Sequence, residues 1–175
     1  MYKFKPIDLK QNQQYFDQVI NLFNKNRDLW IDDLWQPGNY TVQFIQEVLS
    51  GSPWFQVVLN DKDEFMGFVW LNNWMGKEPY YNGVQIQAMM ERKFWGKETE
   101  KAFSCLLNKL FNETCLNRVQ MEIDETNILA CKLAERMCFK LEGIIRNATI
   151  KDGKPVNYKL FSILKGEYNN ERIIS

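Results

Sequence analysis

Apolar and polar positions along the chain change period several times, and each change marks an element. Residues Tyr2 to Leu9 alternate loosely and predict an edge strand. From Gln13 to Asn26 the apolar residues Phe16, Val19, Ile20 and Phe23 fall three or four apart, as on one face of a helix. Helical spacing continues from Asp28 to Leu34 and stops before the breaker pair Pro37-Gly38. Thr41 is placed to cap a further helix through Leu49, which Gly51-Ser52-Pro53 ends.

The pattern then turns to strands. The short apolar run Trp54 to Leu59 suits a buried strand, Asn60-Asp61-Lys62-Asp63 is a turn, and Glu64 to Asn72 returns as its hairpin partner. Gly67 inside that strand marks a bulge or a close backbone approach. Asn73 to Gly83, with Gly76, Pro79 and Gly83, reads as a loop. Val84, Ile86, Ala88 and Met90 alternate with Gln85, Gln87, Met89 and Glu91, a period of two that predicts a strand. Gly96 opens a helix to about Asn112, with Phe103, Leu106, Leu107, Leu110 and Phe111 as its core stripe. Val119, Met121 and Ile123 make the next strand; Asp124-Glu125-Thr126 turns the chain, and Thr126 caps a helix ending near Met137. Phe139 to Ile150 and Val156 to Leu164 are strands joined by Asp152-Gly153-Lys154-Pro155. A strand–helix–strand unit inside a mostly antiparallel order predicts an α/β (α+β) domain with a mixed sheet, one domain over residues 1–175.

Composition narrows the chemistry. Hydrophobic residues make up 45% and aromatics 14%, enough to build a core without disulfides or metal. The formal net charge is zero, so the basic footprint of a nucleic-acid binder is missing. No apolar run is long enough to span a bilayer, and Met1-Tyr2-Lys3-Phe4-Lys5-Pro6 lacks a secretory h-region. The cysteines Cys105, Cys115, Cys131 and Cys138 include no CxxC pair, so cytoplasmic thiols are expected rather than a metal site. There is no histidine. Histidine-based triads, zinc ligation and general bases are therefore excluded, and acid–base work falls to Glu, Asp, Tyr, Lys, Cys or water.

The segment Thr126-Asn127-Ile128-Leu129-Ala130-Cys131-Lys132-Leu133-Ala134-Glu135-Arg136-Met137-Cys138-Phe139, followed by Lys140-Leu141-Glu142-Gly143, resembles a signature of the GNAT superfamily of N-acetyltransferases. It is most similar to the branch of ribosomal-protein N-terminal acetyltransferases. The resemblance implies a fold of about seven strands and four to five helices, and acetyl-CoA as co-substrate. It places the cofactor's pyrophosphate on the turn after strand four, where helix-start N–H groups attract anions. Here that turn and helix start comprise Trp95, Gly96, Lys97, Glu98 and Thr99. It also implies that exposed amides of strand four, from Ala88 through Met89 and Met90 to Glu91, polarise the thioester carbonyl, and that Asn127 reaches the pantetheine arm.

The chain departs from the family pattern at several of these points. Trp95 stands at a Gln/Arg position, and Glu98 and Glu100 stand where small residues admit phosphate. Each carboxylate costs about 1 kcal/mol at ~4 Å from a phosphate charge in water, and more where water is excluded. Arg92, Lys93, Lys97 and Lys101 offset part of this. Two readings stay open. The acids face away and simply complement the helix dipole, a gain of about 0.3–1 kcal/mol, or they fold back over the anion site. The family's proton-donor positions hold Ala130 and Ala134, and its Gly position holds Cys138. Cys131 lies one step from the Ser-equivalent position, roughly 100° round the helix, and suits a small buried hydrophobe. Glu91 and Glu122 are the candidate general bases, with Asp124 beside them. Trp30, Trp35, Trp74, Tyr80, Tyr81 and Tyr158 are candidates to wall an acceptor cleft. The expected function is transfer of an acetyl group from acetyl-CoA to a primary amine, a protein N-terminus or a small amine, by direct attack in a monomer or homodimer. The alternative is a GNAT-fold binding module without catalysis. No metal, nucleic acid or membrane partner is expected.

Overall fold

The computed structural model describes residues 2–7, 13–29 and 54–168. Seven strands form one mixed sheet: β1 (Lys3–Pro6), β2 (Gln56–Leu59), β3 (Phe65–Lys77), β4 (Tyr80–Met90), β5 (Arg118–Asp124), β6 (Lys140–Lys151) and β7 (Lys154–Leu164). Their spatial order is β1-β2-β3-β4-β5-β7-β6. Every neighbouring pair is antiparallel except β4 and β5. A parallel pair requires a crossover, and α2 (Lys97–Glu113) supplies it. Three α-helices are present among the described residues, the others being α1 (Gln13–Lys25) and α3 (Ile128–Arg136). This is fewer than the four to five expected. The helix expected from Thr41 to Leu49 lies outside the described residues, as does the end of the stretch expected to be helical from Asp28 to Leu34. Its described start is a short 3-10 turn at Arg27–Leu29.

The helices sandwich the sheet. On one face α1 packs Phe16, Val19, Leu22 and Phe23 against Val57, Leu59, Phe68, Trp70 and Met89. On the other, Phe103, Leu106, Leu107, Leu110 and Phe111 of α2, with Cys131 and Ala134 of α3, cover Val84, Ile86, Val119, Phe161 and Ile163. Alternate residues of β4 therefore face opposite helix layers, as the period of two requires. Phe55, Phe68 and Trp70 stack in the α1 layer with ring centroids 5.2–5.9 Å apart.

Two expectations need correction. Residues Asn73 to Gly83 are not a loop. β3 and β4 run on as a long hairpin that turns at Glu78-Pro79. The turn-forming residues were bulge residues instead: Asn73 (φ 46°) and Gly76 (φ 111°) absorb register shifts on either side of Met75. Trp74, packed on Tyr81 at 5.1 Å and Trp54 at 5.9 Å, stabilises the extension. Nor does Thr126 cap the next helix. Its N–H and hydroxyl both donate to Asp124 Oδ1, at 2.8 and 2.6 Å, so the cap passes to Asn127. Gly67 does mark a close approach. A Cβ there would lie 2.1 Å from the Met89 carbonyl oxygen.

Candidate active site

The parallel pair β4/β5 is laddered only at Gly83–Arg118, Val84–Val119 and Gln85–Gln120. Beyond Gln85 the strands part. β4 keeps its partner on the other side, and the Glu91 N–H donates to the Met66 carbonyl at 2.7 Å. Ladder alternation then turns the N–H and C=O groups of Met89 and Gln87 towards β3, and those of Ile86, Ala88 and Met90 into the gap. The result is a wedge with a row of unladdered backbone groups along one wall. One of them is already taken: the Trp95 indole N–H donates to the Met90 carbonyl at 2.8 Å.

The wedge holds a cavity with two lobes. The first, about 350 Å³, runs from Ala88, Met89 and Met90 past Trp95, Gly96 and Thr99 to Asn127, Leu133 and Arg136. The second, about 320 Å³, is lined by Gln85, Gln87, Glu122, Asp124 and Tyr158 from one face of the sheet. Ile86, Ala88, Met121 and Ile123 line it from the other. The opening thus passes through the sheet. Leu29, Ala88, Phe103, Asn127, Ala130 and Leu133 line both lobes and mark their junction.

The first lobe fits a phosphate-bearing ligand. Gly96 is the N-cap of α2 at φ 86°, with no atom within 4 Å of where a Cβ would stand. The first N–H groups of α2, from Lys97 to Thr99, have no intrahelical acceptor. Neither nearby acid occupies that site. Glu98 turns towards β1, where it accepts from the Tyr2 hydroxyl at 2.7 Å and lies 3.4 Å from Lys101 Nζ. That hydroxyl, then Lys101, holds the Glu98 carboxyl below the usual carboxylate range. Burial, then Glu98, pushes the Tyr2 phenol up. Glu100 pairs with Arg136 Nε at 2.5 Å. Of the two readings of these acids, the outward one describes Glu98, and Glu100 is engaged across the cavity mouth. Two of the neighbouring basic residues rest on aromatic rings: Arg92 lies over the Trp95 ring and Lys93 over Phe94.

The second lobe is the more polar of the two and carries both lining carboxylates, Glu122 and Asp124. A chain of hydrogen bonds crosses the sheet beside it. Asn73 Nδ2 and Gln120 Nε2 both donate to Gln85 Oε1, at 3.0 and 3.4 Å. Arg118 donates to Gln120 and, bidentately, to Glu142. Arg118, then Ser162, lowers the Glu142 pKa to about 2. Gln85, only 3% exposed, therefore fixes the last rung before the strands part. Asp124 is committed to Thr126 and, at 3.4 Å, to Lys151. Glu122 is exposed, on the same strand face as Asp124.

The expected site residues separate into two groups. Met89, Met90, Trp95, Gly96, Thr99 and Asn127 line the first lobe, and Glu122, Asp124 and Tyr158 line the second. Asn127 caps α3 through Oδ1, which accepts from the Ala130 N–H at 3.2 Å; its Nδ2 has no protein partner among the described residues. Glu91 lines neither lobe. Its strand phase points it at α1, where it pairs with Lys25 at 3.3 Å. The Lys97 and Glu98 side chains also lie outside the lining, leaving only their backbone N–H groups at the helix start. Trp74, Tyr80 and Tyr81 belong to the β3–β4 hairpin and line neither lobe; Trp30 and Trp35 lie outside the described residues. Cys131 is buried, which raises its thiol pKa and suits the small-hydrophobe reading. Gln85, Phe103, Leu133 and Arg136 were missed. Gln85 and Gln87 had a signal, the polar phase of an otherwise buried strand. Arg136 had none, because forty residues of chain separate it from Gly96.

Comparison with known proteins agrees with this geometry. A family model described as "Acetyltransferase (GNAT) domain" matches residues 4–140. A relative from Bacillus licheniformis named "Uncharacterized N-acetyltransferase p20" is 28% identical over 116 residues. That match takes in 65% of this chain and 63% of the relative, so the chain spans under two thirds of the curated relative's length. Among solved structures, Mycobacterium smegmatis RimJ in complex with CoA-disulfide superposes with a TM-score of 0.78 at 14% identity, covering 99% of this chain and 88% of RimJ. The spermidine/spermine N-acetyltransferase SpeG from Vibrio cholerae superposes with a TM-score of 0.71 at 17% identity, covering 98% and 99%. At these identities the two structures establish a shared fold.

Proposed function

The chain belongs to the GNAT acetyltransferase family, and from that premise we propose that it transfers the acetyl group of acetyl-CoA to a primary amine. The observation that carries the reading is the wedge between β4 and β5, open to both faces of the sheet and unladdered beyond Gln85. The two substrates meet where the lobes join. The phosphates lie at the α2 N-terminus, the pantetheine arm runs along β4, and the thioester reaches Ala88, the β4 residue lining both lobes.

Each step has a group for it. The Ala88 N–H, aimed into the gap, donates to the thioester oxygen as negative charge builds there. The amine enters from the acidic lobe and attacks the carbonyl carbon; a C–N bond forms and the C–S bond breaks. Glu122 takes the ammonium proton, directly or through water. Asp124, held by Thr126 and Lys151, shapes the lobe. No hydroxyl stands on α3 at Ala130 or Ala134, so the departing thiolate takes its proton from water or from Tyr158, the only phenol lining either lobe among the described residues. Holding both reactants in one cavity supplies much of the rate by proximity.

The acceptor class follows from charge. Two carboxylates and no lysine or arginine line the second lobe among the described residues, which favours a cationic amine, whether a protein N-terminus or a small amine. SpeG, a spermidine/spermine N-acetyltransferase by name, supports the small-amine acceptor. We place the protein in the cytoplasm, in keeping with its four free thiols, as one domain acting as a monomer or homodimer. Isothermal titration with acetyl-CoA tests the reading, and absence of binding at millimolar cofactor sinks it. The bare α3 positions favour a second reading, a binding module that holds acetyl-CoA without turning it over. Thiol release across a panel of peptides and polyamines separates the two.

A further inference from the structure

Arg136 is the one cation lining the first lobe among the described residues, and its geometry is more specific than a surface charge. It stands at the C-terminal end of α3, across the cavity mouth from α2. Its Nε lies 2.5 Å from Glu100 Oε1, while the two terminal nitrogens have no protein partner among the described residues. Glu100 sits one turn beyond Gly96, its own N–H bonded to the Gly96 carbonyl at 3.0 Å. One carboxylate therefore anchors the inner edge of the guanidinium a helical turn from the unpaired amides of the anion site. The free edge is the one that grips two oxygens of a phosphate at once.

We propose that Arg136 is the cationic ligand of the substrate's pyrophosphate and that Glu100 is the residue that positions it. The inference rests on the acetyl-CoA reading above and explains how this chain tolerates an acid at a position where bulk and negative charge oppose phosphate. The pair is neutral overall, its carboxylate turned to the cation and its donors turned outward. It replaces, from a different helix, the contact that Trp95 cannot make while its indole is committed to Met90. Arg136 is half exposed, so its removal does not open the core.

Calorimetric titration of the full chain with CoA and with 3′-dephospho-CoA tests this. Arg136→Ala is expected to weaken both ligands at least tenfold and by the same factor, because both carry the pyrophosphate. Adding Glu100→Ala to that variant is expected to recover part of the loss, because an uncompensated carboxylate is removed. Parental affinity for both ligands in Arg136→Ala, a loss confined to CoA, or no recovery in the double variant overturns the assignment. If the unsubstituted chain binds neither ligand, the acetyl-CoA reading itself fails, and that outcome is distinct from the other three.

Discussion

Replacing Ala88 by proline tests the division of labour along β4. Proline removes one N–H and fixes φ, and it is tolerated in a strand where the lost N–H faces no partner. The Ala88 N–H points into the gap, beyond the last β4/β5 rung, so Ala88→Pro breaks no ladder bond. Its expected cost in stability is about 1 kcal/mol, the strain of a narrower φ. The neighbouring Met89→Pro differs by one residue and by the whole ladder phase. It removes a bond to Phe68 on β3, leaving a buried carbonyl unpaired at about 1–3 kcal/mol. It also deletes a side chain that is 5% exposed, a further loss of about 2–5 kcal/mol. The two variants should thus differ by about 3 kcal/mol or more in urea denaturation followed by circular dichroism. Activity should invert that order among folded molecules. Loss of one carbonyl-polarising donor lowers kcat about 10²–10³-fold, or about 2.7–4 kcal/mol in the barrier. A proline ring that merely plugged the slot would raise KM for acetyl-CoA instead, so thiol release at saturating cofactor separates the two effects. Parental kcat in Ala88→Pro, or equal destabilisation of the two variants, would refute the assignment of the Ala88 amide to the gap.

Four further substitutions probe independent parts of the argument. Glu122→Gln should lower kcat/KM about 10²–10⁴-fold; a parental kcat/KM removes Glu122 as the base. Asn127→Ala should cost about 1 kcal/mol of stability through the lost cap and weaken acetyl-CoA through the unpartnered Nδ2; titration showing parental affinity restricts Asn127 to capping. Gly67→Ala drives a Cβ to within 2.1 Å of the Met89 carbonyl and should destabilise by about 3 kcal/mol, lowering Tm by about 6–12 °C; a scan within a degree or two of the parent contradicts the close approach. Glu142→Gln tests the cross-sheet ion pair. The folded pKa of Glu142 lies near 2 against an ordinary 4.5, so its contribution is fully present above about pH 4.5 and lost as pH falls towards 2. The shift corresponds to roughly 3 kcal/mol unscreened, which exposure of about a third of the Glu142 side chain reduces to about 1. Parent and variant should differ in urea at pH 7 and converge near pH 2.

What the sequence determined by itself is local. Period-two alternation placed β4 and its inward Val84, Ile86 and Met90, and helical spacing placed the Phe103–Phe111 stripe of α2, because each pattern records one buried face. The α3 segment carried enough side-chain identity for the family to be legible from it. Where local chemistry admitted two outcomes, tertiary contact decided. Asn73 and Gly76 read as loop residues until the Trp54–Trp74–Tyr81 packing drew them into a bulged hairpin. Glu98 and Glu100 could face away from the anion site or fold back over it, and the Tyr2 hydroxyl and Arg136, remote in sequence, settled their direction. The resemblance implied exposed amides along β4, but no spacing encodes the gap beside them. It exists because three rungs end at Gln85–Gln120 while β4 stays laddered to β3 and β5 to β7. Side-chain phase is written in the order of residues, whereas the absence of a partner strand is a property of the assembled sheet.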